Sequence, residues 1–155
     1  MTLGNSDRPK LVIRRMQLAD AISFVRDRRN GILITERSSG RPQSSNIAYV
    51  VDDEDRILVS VTDSRAKTAN LRRTGRASLH VSHDDFWAYA VVEADVDLSP
   101  VATKPGDAAT DLLVEYYRAV AGEHADWNAY RNAMVSDGRL ILTLTPTHAY
   151  GMLQR

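Results

Sequence analysis

The chain has 155 residues, and its 20 basic and 20 acidic residues balance to a formal charge of zero. That length suggests one domain with a single real core, and that balance gives no general attraction to nucleic acid or to an anionic membrane. The absence of cysteine excludes disulfides, thiolate metal sites and thiol catalysis.

The stretch "MTLGNSDRPK" is polar, so residues 1–10 are expected to be a flexible tail and 11–155 the domain. No apolar run approaches the roughly 20 residues that span a bilayer, and a cytoplasmic location is expected. "QLADAISFVRDRR" fits a helix over 17–29, with Leu18, Ile22 and Val25 on one face. A strand starts at Gly31, and Ser38, Ser39, Gly40 and Pro42 mark a turn. "SSNIAYVV", "RILVSVT" and "RASLHVS" read as further strands, with the loop "DDED" and the helix "TDSRAKTANLRR" between them.

"FWAYAVVEADVDLSP" predicts a long, curved strand of the kind barrels use. After a linker over 100–106, "DAATDLLVEYYRAVAG" predicts a helix with Leu112, Tyr116 and Val120 on one face. "HADWNAYRNAMVSDG" predicts a shorter helix, "RLILTLTP" a last strand and "THAYGMLQR" a tail. Short connections between the strands favour antiparallel pairing, and the helices are inserted rather than alternating. The expected class is α+β, built on a small antiparallel barrel. No glycine-rich dinucleotide or triphosphate cradle is present.

One local rule is broken. In "TDSRAKTANLRR", Asp63 and Ser64 are cap-type residues, yet Arg65 and Lys67 occupy what should be the first helical turn. A helix N-terminus carries partial positive charge and favours acidic neighbours. Exposed surface cations would tolerate this at about 0.3–1 kcal/mol each. The alternative is that an anion sits there, held by free backbone N–H groups, a planar arginine fork and a lysine point charge, with Ser60 supplying a hydroxyl. Arg72, Arg73 and Arg76 extend the run, either as nucleic-acid contacts or as partners for "DDED". The histidines 80, 83, 124 and 148 are scattered, and no metal site is expected.

Three segments in order, "GILITERSSGRPQSSNIAYVV", "ILVSVTDSRAKTANLRRTGRASLHV" and "WAYAVVEADVDL", resemble the FMN-binding split β-barrel superfamily of pyridoxamine-5'-phosphate oxidase. "GRPQSSN", "FWAYAVVEA" and the region from "AGEHADW" to "THAYG" resemble its branch that uses the deazaflavin coenzyme F-420, the B group of deazaflavin-dependent oxidoreductases. The likeness spans residues 17–152. It implies an antiparallel split barrel with peripheral helices, a homodimer, and two cofactor sites at the interface. By matching position, Ser60, Arg65 and Lys67 hold the cofactor phosphate, and Arg41, Pro42, Gln43 and Asn46 lie near the deazaflavin ring. Trp87 and Tyr150 line the site from the partner chain. Pro42 is also readable as a plain turn residue, and Trp87 as a core or interface aromatic.

The activity implied is hydride transfer from reduced deazaflavin to an unsaturated organic substrate such as a biliverdin-like tetrapyrrole, a quinone or an enone. The alternatives are an FMN-dependent oxidase or reductase of the same superfamily, and a non-enzymatic dimeric carrier of cofactor or haem. FMN ends at its phosphate, whereas the deazaflavin coenzyme continues into lactate and an acidic glutamyl tail. Cations beyond the phosphate site, such as Arg72 or Arg73, favour the longer cofactor if they face it. No catalytic acid stands out in the sequence.

Overall fold

The protein is described by a computed structural model over residues 15–153; the tail expected over 1–10 lies outside the described residues. Seven strands and four helices follow one another as α1 (Leu18–Arg26), β1 (Asn30–Glu36), β2 (Pro42–Ala48), β3 (Val50–Val51), β4 (Ile57–Thr62), α2 (Ala66–Thr74), β5 (Arg76–Ser82), β6 (Tyr89–Leu98), α3 (Ala108–Ala121), α4 (Trp127–Asp137) and β7 (Arg139–Met152). The strands form one sheet in the order β2-β1-β5-β6-β7-β4-β3. Every pairing is antiparallel, and the sheet curls into a split barrel.

Alternation along the strands builds the core. Leu33, Val59, Leu79, Val81, Val92, Leu140, Leu142 and Leu144 point inward and are buried. Each such side chain contributes about 1.5–3 kcal/mol relative to exposure. Helix α1 adds Ala21 and Val25 to this core, with Leu18 and Ile22 half-buried against it. A second, smaller cluster joins α3 and α4 to the outside of the barrel through Leu113, Val114, Tyr130 and Ile141.

The differences from the sequence reading have identifiable causes. Strand β2 begins at Pro42 and stops at Ala48. Tyr49 then turns inward to donate its hydroxyl to the Val25 carbonyl at 2.6 Å, which splits the expected single strand in two. Strand β6 begins at Tyr89, because Phe86 adopts a left-handed φ of 74° in the preceding loop. The face that α3 buries is Ala109, Leu113 and Val114, and Leu112 is 48% exposed.

The expected C-terminal tail is strand. Proline lacks the N–H a ladder needs and normally ends a central strand. Here Pro146 sits at a register shift between β6 and β7, where the pairing jumps from Ala94↔Pro146 to Glu93↔His148. The ladder then resumes to Met152. Gly151 permits this close approach: a Cβ there would lie 2.3 Å from the Tyr89 carbonyl oxygen.

Candidate functional site

The opening of α2 is built by the end of β4. The Thr68 hydroxyl donates to the Thr62 carbonyl at 2.8 Å, tying the first helical turn to the strand. The N-cap is Arg65, in extended conformation, and no side chain caps the helix. Neither Asp63 nor Ser64 serves. The Asp63 carboxylate accepts from Arg72 at 2.6 Å, and the Asp63 N–H donates to the Gly138 carbonyl at 2.9 Å. The first turn holds no acidic residue. Its free N–H groups and two cations therefore face outward without an internal counter-charge.

These groups line a groove of about 440 Å³. One wall comes from β4 and the start of α2, with Ser60, Thr62, Arg65 and Lys67; β2 contributes Asn46, Ile47 and Ala48. The helices contribute Tyr116 and Tyr117 of α3 and Tyr130 and Met134 of α4, and Arg139, at the start of β7, lies beside Thr62 on the neighbouring strand. Among the described residues, no aspartate or glutamate lines it. Burial holds the Lys67 ammonium below the ordinary lysine range, reinforced by repulsion from Arg65 and then Arg139. The Nε of Arg139 is buried and has no hydrogen-bond partner among the described residues.

Two of the three tyrosine hydroxyls are committed to backbone. Tyr116 donates to the Ala48 carbonyl at 3.2 Å, and Tyr130 to the Leu113 carbonyl at 2.8 Å. Burial raises both phenols, Tyr130 to about 12, so both are neutral in the physiological range. The groove thus carries cations and apolar ring faces with no anion of its own.

A second cavity, of about 550 Å³, meets the first along β2 by sharing Asn46, Ile47 and Ala48. It runs over Ile32, His80 and Phe86 and is mainly apolar. His80 stacks on Tyr89 with ring centroids 5.2 Å apart. The two cavities give a basic end and an apolar end, joined at Asn46.

Four of the expected site residues come together here: Asn46, Ser60, Arg65 and Lys67. The other five lie elsewhere. Arg41 is exposed at the close of the β1–β2 hairpin, and Pro42 lines a different cavity beside Glu36 and Arg76. Gln43 accepts from the buried Asn70 amide at 2.9 Å, linking the hairpin to α2. Trp87, 68% exposed, sits in the loop before β6.

Tyr150, 49% exposed, falls in a row across the outer sheet face with Asn46, Ile32, His80 and Val91. It lies four strands from Asn46, roughly 19 Å at the usual strand spacing. Arg72 and Arg73 do not line the groove. Arg72 pairs with Asp63, and Arg73 donates to the Asn70 side chain and the Glu36 carbonyl. Arg76 pairs with Glu36, and "DDED" pairs instead with Arg26 and Arg56.

Arg139 and the tyrosines of α3 and α4 are not among the site residues expected from the sequence, which places Tyr116 only on a helix face. Their proximity to Lys67 is created by the antiparallel pairing of β4 with β7, in which Thr62 lies opposite Arg139. The only local signal is Gly138, a left-handed helix cap at φ 63°, which delivers the next residue directly into the strand.

Fold and groove together define an α+β split barrel with a basic cleft beside its β4–α2 turn. The chain belongs to the pyridoxamine 5'-phosphate oxidase family, whose profile matches residues 19–153. Among solved structures, an F420 reductase is 22% identical with a TM-score of 0.59, covering 78% of this chain and 88% of its own. A conserved hypothetical protein from Mycobacterium tuberculosis is 20% identical with a TM-score of 0.68, covering 90% and 86%. An FAD-binding protein from Mesorhizobium loti is 16% identical with a TM-score of 0.62, covering 89% and 95%. At these identities the likeness is one of fold.

Proposed function

We propose that the protein is an oxidoreductase that binds reduced deazaflavin coenzyme F-420 and reduces an unsaturated organic substrate such as a biliverdin-like tetrapyrrole, a quinone or an enone. The observation that carries this reading is a basic groove and an apolar cavity side by side along β2, both bordered by Asn46, Ile47 and Ala48. A phosphate linked to a flat ring system needs both, in that order. The donor set fits: a helix N-terminus, Ser60, Arg65 and Lys67 for the phosphate, and β2 with Ile32 and Phe86 for the ring. The buried, unpartnered Arg139 Nε is the orphan donor expected of a site shaped around an anion.

When bound, the deazaflavin supplies a hydride. The chain's residues then act by placement. Arg65 and Lys67 fix the phosphate, Asn46 sits where the two cavities meet, and the apolar end excludes water from the reacting face. The F420 reductase among the structural neighbours supports deazaflavin over FMN. Arg72 and Arg73, engaged elsewhere, do not contribute to that choice. FMN is the second reading; the neighbour described as FAD-binding supports a flavin, without distinguishing FMN from FAD.

The same reading includes a homodimer. Ile32, Tyr150 and Met152 share the outer sheet face and are 39%, 49% and 51% exposed; Phe86, which lines the apolar cavity with Ile32, and the next residue, Trp87, are exposed as well. Apolar patches of this kind are characteristic of subunit contacts. In a two-fold assembly, Tyr150 and Trp87 approach the partner's cleft. Equilibrium fluorescence titration with F-420 and FMN tests the cofactor: a lower dissociation constant for F-420 is expected, and a lower one for FMN overturns the choice. Sedimentation at micromolar concentration is expected to show a dimer, and a monomer that binds cofactor fully contradicts the assembly.

A further inference from the structure

We infer that Arg139 is a third ligand-binding cation, and that the basic end of the cleft takes a phosphoryl group accompanied by at least two negative charges. This deepens the cofactor reading and rests on it for the identity of the ring alone. Arg65 and Lys67 come from the β4–α2 turn, and Arg139 from the neighbouring strand, where α4 gives way to β7. The two segments are locked together: Thr62 pairs with Arg139, and the Asp63 N–H donates to the Gly138 carbonyl at 2.9 Å. Arg139 therefore sits at a fixed position relative to the opening of α2.

Nothing among the described residues satisfies it. Its Nε is buried without a partner, the neighbouring Tyr116 and Tyr130 hydroxyls serve backbone carbonyls, and the nearest acid of the turn, Asp63, is held by Arg72. Buried donors are normally paired, and an arginine edge offering Nε with a terminal nitrogen matches two oxygens of one phosphoryl group. Three cations without a carboxylate balance more charge than a single phosphodiester brings. The matching chemistry is a terminal dianionic phosphate, or a phosphodiester with a carboxylate beside it.

The probes are phenyl phosphate, a dianionic monoester, and dimethyl phosphate, a monoanionic diester, followed by calorimetry and thermal unfolding of the full-length protein. The parent is expected to bind phenyl phosphate at least tenfold more tightly than dimethyl phosphate. Arg139→Ala is expected to weaken phenyl phosphate tenfold or more and to erase that preference. Arg139→Lys, which keeps the charge but lacks the Nε donor, is expected to recover only part of the loss. Apo stability is expected to hold or rise in both variants.

The inference is overturned if both variants bind phenyl phosphate like the parent, or if Arg139→Ala lowers apo stability with affinity unchanged. It is also overturned if the parent does not distinguish the two probes. Titrating F-420 and FMN against the same proteins separates the two readings. Loss of affinity for both cofactors in Arg139→Ala, with FMN the tighter ligand throughout, keeps the anion site and removes the deazaflavin. Parent-like F-420 binding in Arg139→Ala, with F-420 tighter than FMN, does the reverse. F-420 tighter than FMN in the parent, with a large loss in Arg139→Ala, assigns the second negative charge to the carboxylate-bearing tail.

Discussion

Two groups of cations stand within one stretch of chain and behave in opposite ways. Arg72, Arg73 and Arg76 each find an acceptor: Asp63, the Glu36 carbonyl with the Asn70 side chain, and the Glu36 carboxylate. Arg65 and Lys67, a few residues earlier, have no hydrogen-bond or ion-pair partner for their side chains among the described residues and face a groove without acids. Exposed pairs of the first kind are worth 0–1 kcal/mol and are screened by salt. Cations of the second kind repel one another and oppose a helix dipole, so the apo fold gains nothing from them. The contrast teaches that pairing, and not positive charge, separates a solvated face from a binding site.

The largest test removes the unpaired cations. Lys67→Ala is expected to weaken cofactor binding by about 1.5–3 kcal/mol, the scale of a hydrogen bond to a charged group, or roughly tenfold to hundredfold. Arg65→Ala is expected to act similarly, and Arg65→Lys to recover only part, because the planar fork is lost. Thermal unfolding of the apo variants is expected to show equal or slightly higher stability. Parent-like binding together with lost stability would place these residues with the paired group.

Next in size is the link beneath the site. Asn70 is buried and donates to Thr35 at 3.1 Å and Gln43 at 2.9 Å. Asn70→Ala leaves the buried Thr35 hydroxyl and the half-buried Gln43 carbonyl without this donor and is expected to cost about 1–3 kcal/mol in urea unfolding. A change below a few tenths would show that the α2–hairpin link is not structural.

The unpaired group also has a pH signature. Burial, then Arg65 and Arg139, hold Lys67 below the ordinary lysine range in the folded apo protein. While the group is charged, that environment costs stability, and the cost is complete below the depressed folded pKa. It is relieved as pH rises from there towards the unfolded value of about 10.4. Apo stability attributable to Lys67 therefore rises across this window. A bound anion favours the charged form, so anion affinity falls across the same window. Lys67→Met is expected to flatten both trends, as read by unfolding and titration at stepped pH; unchanged trends would assign them to another group.

The smallest effect belongs to the paired group. Arg72→Ala is expected to change stability by no more than about 1 kcal/mol, to lose that difference in high salt, and to leave cofactor affinity unchanged. A tenfold loss of affinity would show that Arg72 leaves Asp63 for the cleft when ligand binds.

The sequence by itself determined the class and most elements of this protein, because alternation, helical periodicity and turn residues are local signals set by backbone geometry. It also pointed to two of the three cations that line the groove. Arg65 and Lys67 stand out because they violate a rule that operates within one helical turn, and a violation is visible without a fold. Only the tertiary structure decided the rest, since pairing is a property of distance in space. It assigned Arg72 to Asp63 and Arg73 to Glu36, and committed Gln43 to Asn70. It carried β7 past Pro146 by a bulge that no window of β7 alone can show. It brought Arg139, 72 residues after Lys67 (139 − 67), into the same cleft through the β4–β7 register. Strand pairing of that sequence separation is fixed by the packing of the whole barrel.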